Sequence, residues 1–397
     1  MSSDHSDSMH HDPSPRTERL NSWLEIDAAA HAENLRIARH LIGPDVELSA
    51  VVKANAYGHG WRTIATNAIE AGADSFCVHA LDEALALRNA GFSQDILVMG
   101  HVPLARLEEA TAADLRLMLT NLETLETLAE ITARRGSPTR VHLKLETGTY
   151  RHGVDEAGLE TMLEVFHEHP WVHLEGAYTH FADIEDTTDH SYAAAQLARF
   201  EAFCARIRAA GHPLLKRHAA CSAALLVFPD THFDMVRLGI SQYGFWPSKE
   251  TYLSYREHHP GEPAELRPVL SWKTRVSQIK EAPAGAFVGY GRSYQTTRAS
   301  RLAILPIGYS DGYDRRLSNQ SWVLIRGRRA PVRGRVCMNL LIVDVTDIPD
   351  VELEDEVVLL GRQGERDITA EQLAALIGTI HYEVTTRIRA DLPRLNR

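Results

Sequence analysis

Eight short apolar runs, each leading into a segment of helical periodicity, constrain this chain more than any other feature of it. The runs are Leu48–Lys53, Asp74–Val78, Ile96–Met99, Leu115–Leu119, Val141–Leu145, His173–Thr179, Arg217–Ala220 and Met235–Leu238. Their length and aliphatic content predict strands. Ala28–Ile42, Trp61–Ala71, Leu81–Ala90, Asn121–Arg135, Asp155–His167 and Ser191–Ala210 carry apolar residues at helical spacing, several of them opened by a capping Asp, Asn or Ser. Strands that alternate with helices form a parallel sheet. About eight such units over roughly 200–250 residues suggest an α/β fold of the (β/α)8 TIM-barrel type, with an open doubly wound sheet as the alternative.

After Tyr243-Gly244-Phe245-Trp246-Pro247-Ser248 the pattern changes. Glu250–Pro268 is polar and rich in proline, which predicts a linker. Beyond it, Val269–Ile279, Ala286–Gly289, Ser300–Ile307, Trp322–Ile325, Arg329–Val332, Leu340–Val345 and Glu356–Leu360 are short β-patterned runs broken by Gly, Pro and Asp, with a terminal helix near Thr369–Ile377. The expected organisation is a disordered tail at 1–22, a barrel at 23–265 and a C-terminal mainly β domain at 266–397.

A length of 397 residues suits two domains, and 44% hydrophobic with 24% charged residues is globular. A formal charge of −11 argues against a general nucleic-acid binder. No apolar run is long enough for a membrane span, and no apolar stretch of secretory type follows the start. Cys77, Cys204, Cys221 and Cys337 are scattered without metal-site or disulfide spacing, which fits a reducing, cytoplasmic setting and no metal centre. His10-His11 beside Asp12 reads as part of a solvated tail.

Active-site groups of such barrels sit at the C-terminal ends of the strands. Lys53 closes the first run, ahead of small residues and Gly58 and Gly60, where burial can make an amine nucleophilic. Lys144 lies near the end of the fifth run, Arg151 follows that run and His180 ends the sixth. Ser222 follows the seventh, and Arg237 lies in the last, ahead of Gly239-Ile240. One strand-end lysine is weak evidence, but this set on one face marks a site. Ser222 and Gly239 suit a phosphate, and a phosphorylated carbonyl cofactor plus a lysine points to pyridoxal phosphate.

The stretch Ala50-Val51-Val52-Lys53-Ala54-Asn55-Ala56-Tyr57-Gly58-His59-Gly60 resembles the pyridoxal-phosphate attachment motif of the alanine racemase family. Further resemblances follow in the family's order. They are Tyr178-Thr179-His180-Phe181, Arg237-Leu238-Gly239-Ile240 with Tyr243-Gly244, Val288-Gly289-Tyr290-Gly291, Pro306-Ile307-Gly308-Tyr309-Ser310-Asp311-Gly312, Gly334-Arg335-Val336-Cys337-Met338 and Tyr382-Glu383. The likeness runs from about Trp23 to the C-terminus.

The resemblance implies a racemase that interconverts L- and D-alanine, supplies D-alanine for peptidoglycan, and works as a head-to-tail homodimer with shared active sites. Lys53 would be the Schiff-base lysine and the base on one face of the substrate. Tyr290 of the partner subunit would be the base on the other, assisted by His180, which touches Arg237. Arg237 would face the pyridine nitrogen, and a permanent cation there discourages transamination. Tyr57, Ser222, Gly239, Ile240 and Tyr382 match the family's phosphate-binding set. Arg151 and Met338 match its substrate-carboxylate positions. Lys144 matches a lysine carbamylated in many members, and Tyr309, Arg315 and Arg335 resemble residues of the substrate entrance. Glu146, Thr149, Tyr150, Cys221 and Asn339 depart from the pattern and bear on substrate breadth, serine included. A barrel decarboxylase or aldolase would also keep the lysine, but it needs neither Arg237 nor a second base. A cofactor-storage protein would need no β domain carrying Tyr290 and Met338.

Overall fold

The computed structural model describes residues 17–261 and 265–397. The expected N-terminal tail lies outside them except for its last residues, where Thr17–Arg19 forms one 3-10 turn. Two compact units result. One is Asp27–Val269, and the other joins the described residues up to Ile26 with Leu270–Arg397.

In the first unit the eight runs are eight parallel strands: β1 Glu47–Val51, β2 Ser75–Val78, β3 Asp95–Val98, β4 Arg116–Leu119, β5 Thr139–Lys144, β6 Val172–Tyr178, β7 Lys216–His218 and β8 Met235–Leu238. Each pairs with the next through β7, and β8 returns to pair with β1. The remaining gap between β7 and β8 is spanned by Asp234 N–H donating to Arg217 O and Arg237 N–H to Ala220 O, both at 3.1 Å. The barrel is therefore nearly closed, and the open-sheet alternative is excluded. A register shift at Val141/His142 bends β5 beside β6.

The crossover helices bury the stripes their periodicity marks. Ala28–Ile42 begins where Asp27 Oδ1 accepts the Ala30 amide at 2.8 Å, and it buries Ala30, Leu35, Ala38 and Ile42. Such a cap contributes about 1 kcal/mol. The expected linker is only partly one. Lys249–His258 is a helix capped by Ser248, and it was hidden because it buries only Thr251, Ser254 and Tyr255.

The second unit is built on antiparallel sheets. Leu270–Arg275 pairs with Glu356–Gln363, which pairs with Trp322–Ile325, and that strand pairs with Arg328–Pro331. Gln278–Ala282, Ser300–Leu305 and Leu341–Asp344 form a three-stranded sheet. Leu270, Trp272 and Thr274 are buried in alternation with partly exposed neighbours, the period-2 signature of a sheet with one covered face. Ser22–Ile26, assigned from the sequence to the barrel beyond residue 22, hydrogen-bonds instead with Leu270–Arg275 and Arg394–Asn396 of this unit.

Candidate active site

At the mouth of the barrel, β1 runs out into Val52 and Lys53. The next four residues, Ala54, Asn55, Ala56 and Tyr57, all have φ of 53–54°, so a left-handed turn carries the lysine. For residues with a Cβ this costs roughly 1–2 kcal/mol each. The turn persists because its polar groups are claimed. Ala56 N–H donates to Val52 O, Gly58 N–H to Ala54 O and Gly60 N–H to Asn55 O. Ala54 N–H donates to Glu83 Oε1 at 2.6 Å, and Asn55 Oδ1 accepts the Trp61 amide. Below it, His59 stacks on Tyr243 with ring centres 4.3 Å apart. No glycine marks these four positions, so the sequence carried no sign of the turn.

Burial lowers the pKa of Lys53, and the charges of Arg151 and Arg237 lower it further. Lys144, at the end of β5, is brought down to about 8 by burial together with Arg151 and Arg237. The lysines therefore share a cationic mouth in which each loses its proton more readily than a free lysine does. Arg151 itself is exposed on the loop after β5. That loop is folded by Glu146, whose Oε1 accepts the amides of Gly148 and Thr149 at 2.6 and 2.7 Å. Thr149 Oγ1 donates to His180 O at 2.6 Å, and Tyr150 stands out into solvent.

Arg237 is buried in β8. Its Nη2 donates to Thr179 O and Ala219 O, and its Nη1 meets His218 Nδ1 at 2.6 Å. His180 was expected to touch Arg237, but the histidine hydrogen-bonded to it is His218, a residue the sequence reading did not single out. Tyr178 stacks on His218 with centres 4.7 Å apart and lies under both Arg237 and Lys144, at 5.2 and 5.7 Å. His180 is held neutral by burial and by the nearby charges of Arg237 and Arg151.

Tyr57, Ser222, Gly239 and Ile240 converge at the other side of the mouth. Ser222 Oγ accepts the amides of Gly239 at 2.9 Å and Ser241 at 3.3 Å. A Cβ on Gly239 would stand 3.0 Å from Tyr57 Oη and 3.6 Å from Ser222 Oγ, so the missing side chain leaves a small cradle between two hydroxyls and a strand-end backbone. Hydroxyls and amides around a space of this kind suit a phosphate. With Lys53 at the same mouth, the residues fit pyridoxal phosphate. Cys221 has its thiol 4.0 Å from Glu185 Oε1, and burial raises its pKa to about 11.

In the other unit, Tyr290, Tyr309, Arg315, Arg335 and Met338 line one concavity together with Cys337 and Leu340. Gly308 permits this. A Cβ there would lie 2.3 Å from Cys337 O, and the amides of Tyr309 and Ser310 donate to Cys337 O and Met338 O. Tyr290 is 72% exposed and Met338 55%, so this surface presents large apolar groups. Asn339 Nδ2 donates to Ser310 Oγ at 2.8 Å. Tyr382 belongs to this unit as well, in the helix His381–Thr386, with its ring 4.7 Å from that of His381. Among the described residues no group of three or more His, Cys, Asp or Glu could hold a metal ion, and no helix is long and apolar enough to cross a membrane.

Residues 26–247 match the family model "Alanine racemase, N-terminal domain", and residues 269–396 match "Alanine racemase, C-terminal domain". The chain is 40% identical to the alanine racemase of Desulfosudis oleivorans over 95% of its own length and 96% of the relative's. It is 43% identical to that of Symbiobacterium thermophilum, over 94% and 96%. Among solved structures, the alanine racemase of Bacillus anthracis with bound L-Ala-P superposes with a TM-score of 0.87 at 36% identity, covering 95% of each chain. The alanine racemase of Bartonella henselae with covalently bound pyridoxal phosphate gives 0.82 at 29% identity, covering 95% of this chain and 100% of that one.

Proposed function

The chain belongs to the alanine racemase family, and from that premise we propose that it works between two bases, Lys53 of one subunit and Tyr290 of the other. It is an amino-acid racemase, interconverting L-alanine and D-alanine. The observation that carries the mechanism is the position of Lys53, with its lowered pKa, at a mouth that also holds the Ser222–Gly239 cradle and Arg237.

Pyridoxal phosphate, when bound, supplies an electron sink that acidifies the Cα–H of an amino acid joined to it. Tyr57, Ser222 and the backbone of Gly239 and Ile240 would hold its phosphate. Lys53 anchors it and afterwards exchanges a proton with Cα on one face. The partner subunit's Tyr290 exchanges a proton on the other face, with His180 beside it. Racemisation requires a group on each face, and a single base returns the proton to the side it left. Arg237 would face the ring nitrogen and donate a hydrogen bond to it without giving up its proton, so that nitrogen would stay unprotonated, the sink weak and transamination disfavoured. Arg151 and the backbone N–H of the partner subunit's Met338 hold the substrate carboxylate. Tyr309, Arg315 and Arg335 line its entrance. Lys144 orients Arg151, as its carbamate.

The exposed apolar surface around Tyr290, Met338 and Leu340 favours a homodimer in which each protomer covers the mouth of the other. The assigned place is the cytoplasm, and the role is supply of D-alanine for peptidoglycan. Borohydride reduction of the cofactor-loaded protein followed by peptide mapping tests the anchor. The pyridoxyl label is expected on Lys53, and a label on another lysine would contradict the assignment.

A further inference from the structure

A line of buried polar groups leaves Arg237 and descends through the barrel interior. Arg237 Nη1 is 2.6 Å from His218 Nδ1, His218 Nε2 is 2.8 Å from His142 Nδ1, and His142 Nε2 is 2.9 Å from Glu175 Oε2. Arg116 Nε closes on the same carboxylate at 2.7 Å. Both imidazoles are 0% exposed, and Arg237, Glu175 and Arg116 are buried too. Arg116 also reaches Glu47 and Asp95, and Lys216 pairs with Glu47, so the lower end is anchored among further charges. The chain packs around this line. A Cβ on Gly176 would stand 3.0 Å from His142 Cε1 and 2.5 Å from Lys216 O.

The two ends dictate the direction of every bond between them. An arginine only donates, so His218 Nδ1 is the acceptor and its Nε2 carries the proton. That proton is given to His142 Nδ1, which leaves His142 Nε2 to donate to Glu175. Glu175 accepts as a carboxylate. Burial opposes its ionisation, but the His142 hydrogen bond and the Arg116 charge outweigh this and hold its pKa at about 2. Burial and Arg237 keep His218 neutral, and burial lowers His142 as well. The only arrangement that satisfies every group is Arg237 donating through two neutral imidazoles to one carboxylate.

We propose that Glu175, acting through His142 and His218, is a positioning residue that holds the Arg237 guanidinium at the angle it presents to the cofactor's ring nitrogen. This rests on the racemase reading above. Without the relay, His218 can turn over to its other tautomer and repel the Arg237 N–H, and the guanidinium loses its one side-chain anchor. A slack Arg237 controls the ring nitrogen less well. The visible result is partition, because alanine then gives its amino group to the cofactor aldehyde more often and leaves as pyruvate.

The first test uses the cofactor-free protein. In 15N-histidine spectra both imidazoles are expected as neutral Nε2–H tautomers, assigned by the signals lost in H142Q and H218Q. An Nδ1–H tautomer at either residue would overturn the proposal, and this readout needs no variant that is active. The second test measures pyruvate formed per racemisation in the loaded enzyme. A glutamine at 142 can accept from His218 and donate to Glu175, so H142Q is expected to stay within about twofold of wild type, whereas H142L and Glu175→Leu raise the ratio about tenfold, the size of one charge-assisted hydrogen bond. Folded H142L with an unchanged ratio would overturn the positioning role. Failure of the wild type to racemise alanine at all would sink the racemase reading instead, and the tautomers would be unaffected by it.

Discussion

Ser222 Oγ accepts the Gly239 amide across 2.9 Å, so a side chain after β7 and a backbone group after β8 are tied at the point where the cofactor phosphate is placed. The same hydroxyl serves the Ser241 amide, which makes Ser222 the organiser of the cradle and one of its donors.

Ser222→Ala is therefore expected to weaken pyridoxal phosphate binding by about 10- to 100-fold, the loss of one hydrogen bond to a charged group. Gly239→Ala reaches the same end by filling the cradle, since its methyl lands 3.0 Å from Tyr57 Oη. Titration of the cofactor-free variants, followed by absorbance, checks both. Unaltered affinity in Gly239→Ala would place the phosphate elsewhere.

The left-handed turn behind Lys53 makes a stability prediction that runs against ordinary helix rules. Ala54 is exposed and has φ 53°. Glycine there escapes a steric cost of roughly 1–2 kcal/mol and loses about 0.5–1 kcal/mol of unfolded-state entropy. Ala54→Gly should raise the thermal midpoint of the cofactor-free protein slightly, and Ala54→Val should lower it. Racemisation by Ala54→Gly should fall, because the lysine sits on a looser turn.

Lys144 gives a pH dependence with a definite sign. Its pKa falls from 10.5 in the unfolded chain to about 8 in the fold. Between those values the unfolded state holds a proton that the folded state lacks, so this residue makes stability rise with pH across that window. Below about 8 the buried cation opposes folding at full strength. In bicarbonate-free buffer, cofactor-free Lys144→Met is expected to be more stable than wild type at pH 7, with the gap closing towards pH 10. Adding 13C-bicarbonate to wild type should produce a carbamate carbonyl signal that the variant lacks.

Shared sites can be tested by mixing inactive subunits. A Lys53→Ala subunit retains Tyr290, and a Tyr290→Phe subunit retains Lys53. Statistical mixing makes half the dimers hybrid, each with one intact site, so activity should return to roughly a quarter of wild type. No recovery on mixing, with hybrids verified by mass, would mean that both bases come from one chain.

The barrel was legible because its strands announce themselves locally. Each apolar run and its helix are contiguous, and the site follows from which end of a strand a residue occupies, as with Lys53 and Ser222. Features that depend on distant partners were not legible. Ser22–Ile26 becomes a strand only beside Leu270–Arg275, about 250 residues on. His142 had one available signal, two positions before Lys144 on the same strand and so on the same face. Its partners His218 and Glu175 lie on other strands at offsets set by a register shift, which a single sequence does not show. Ala54-Asn55-Ala56-Tyr57 concealed the left-handed turn because none of the four is a glycine and two of the groups that hold it, the Glu83 carboxylate and the Trp61 amide, lie outside the motif.

The most direct measurement of the two-base account is exchange of the alanine Cα–H with deuterated solvent, followed separately from each enantiomer in wild type and Tyr290→Phe. The account predicts that loss of Tyr290 slows abstraction from L-alanine by about 100-fold or more while Lys53 still exchanges the proton of D-alanine. Equal losses from both enantiomers would contradict it.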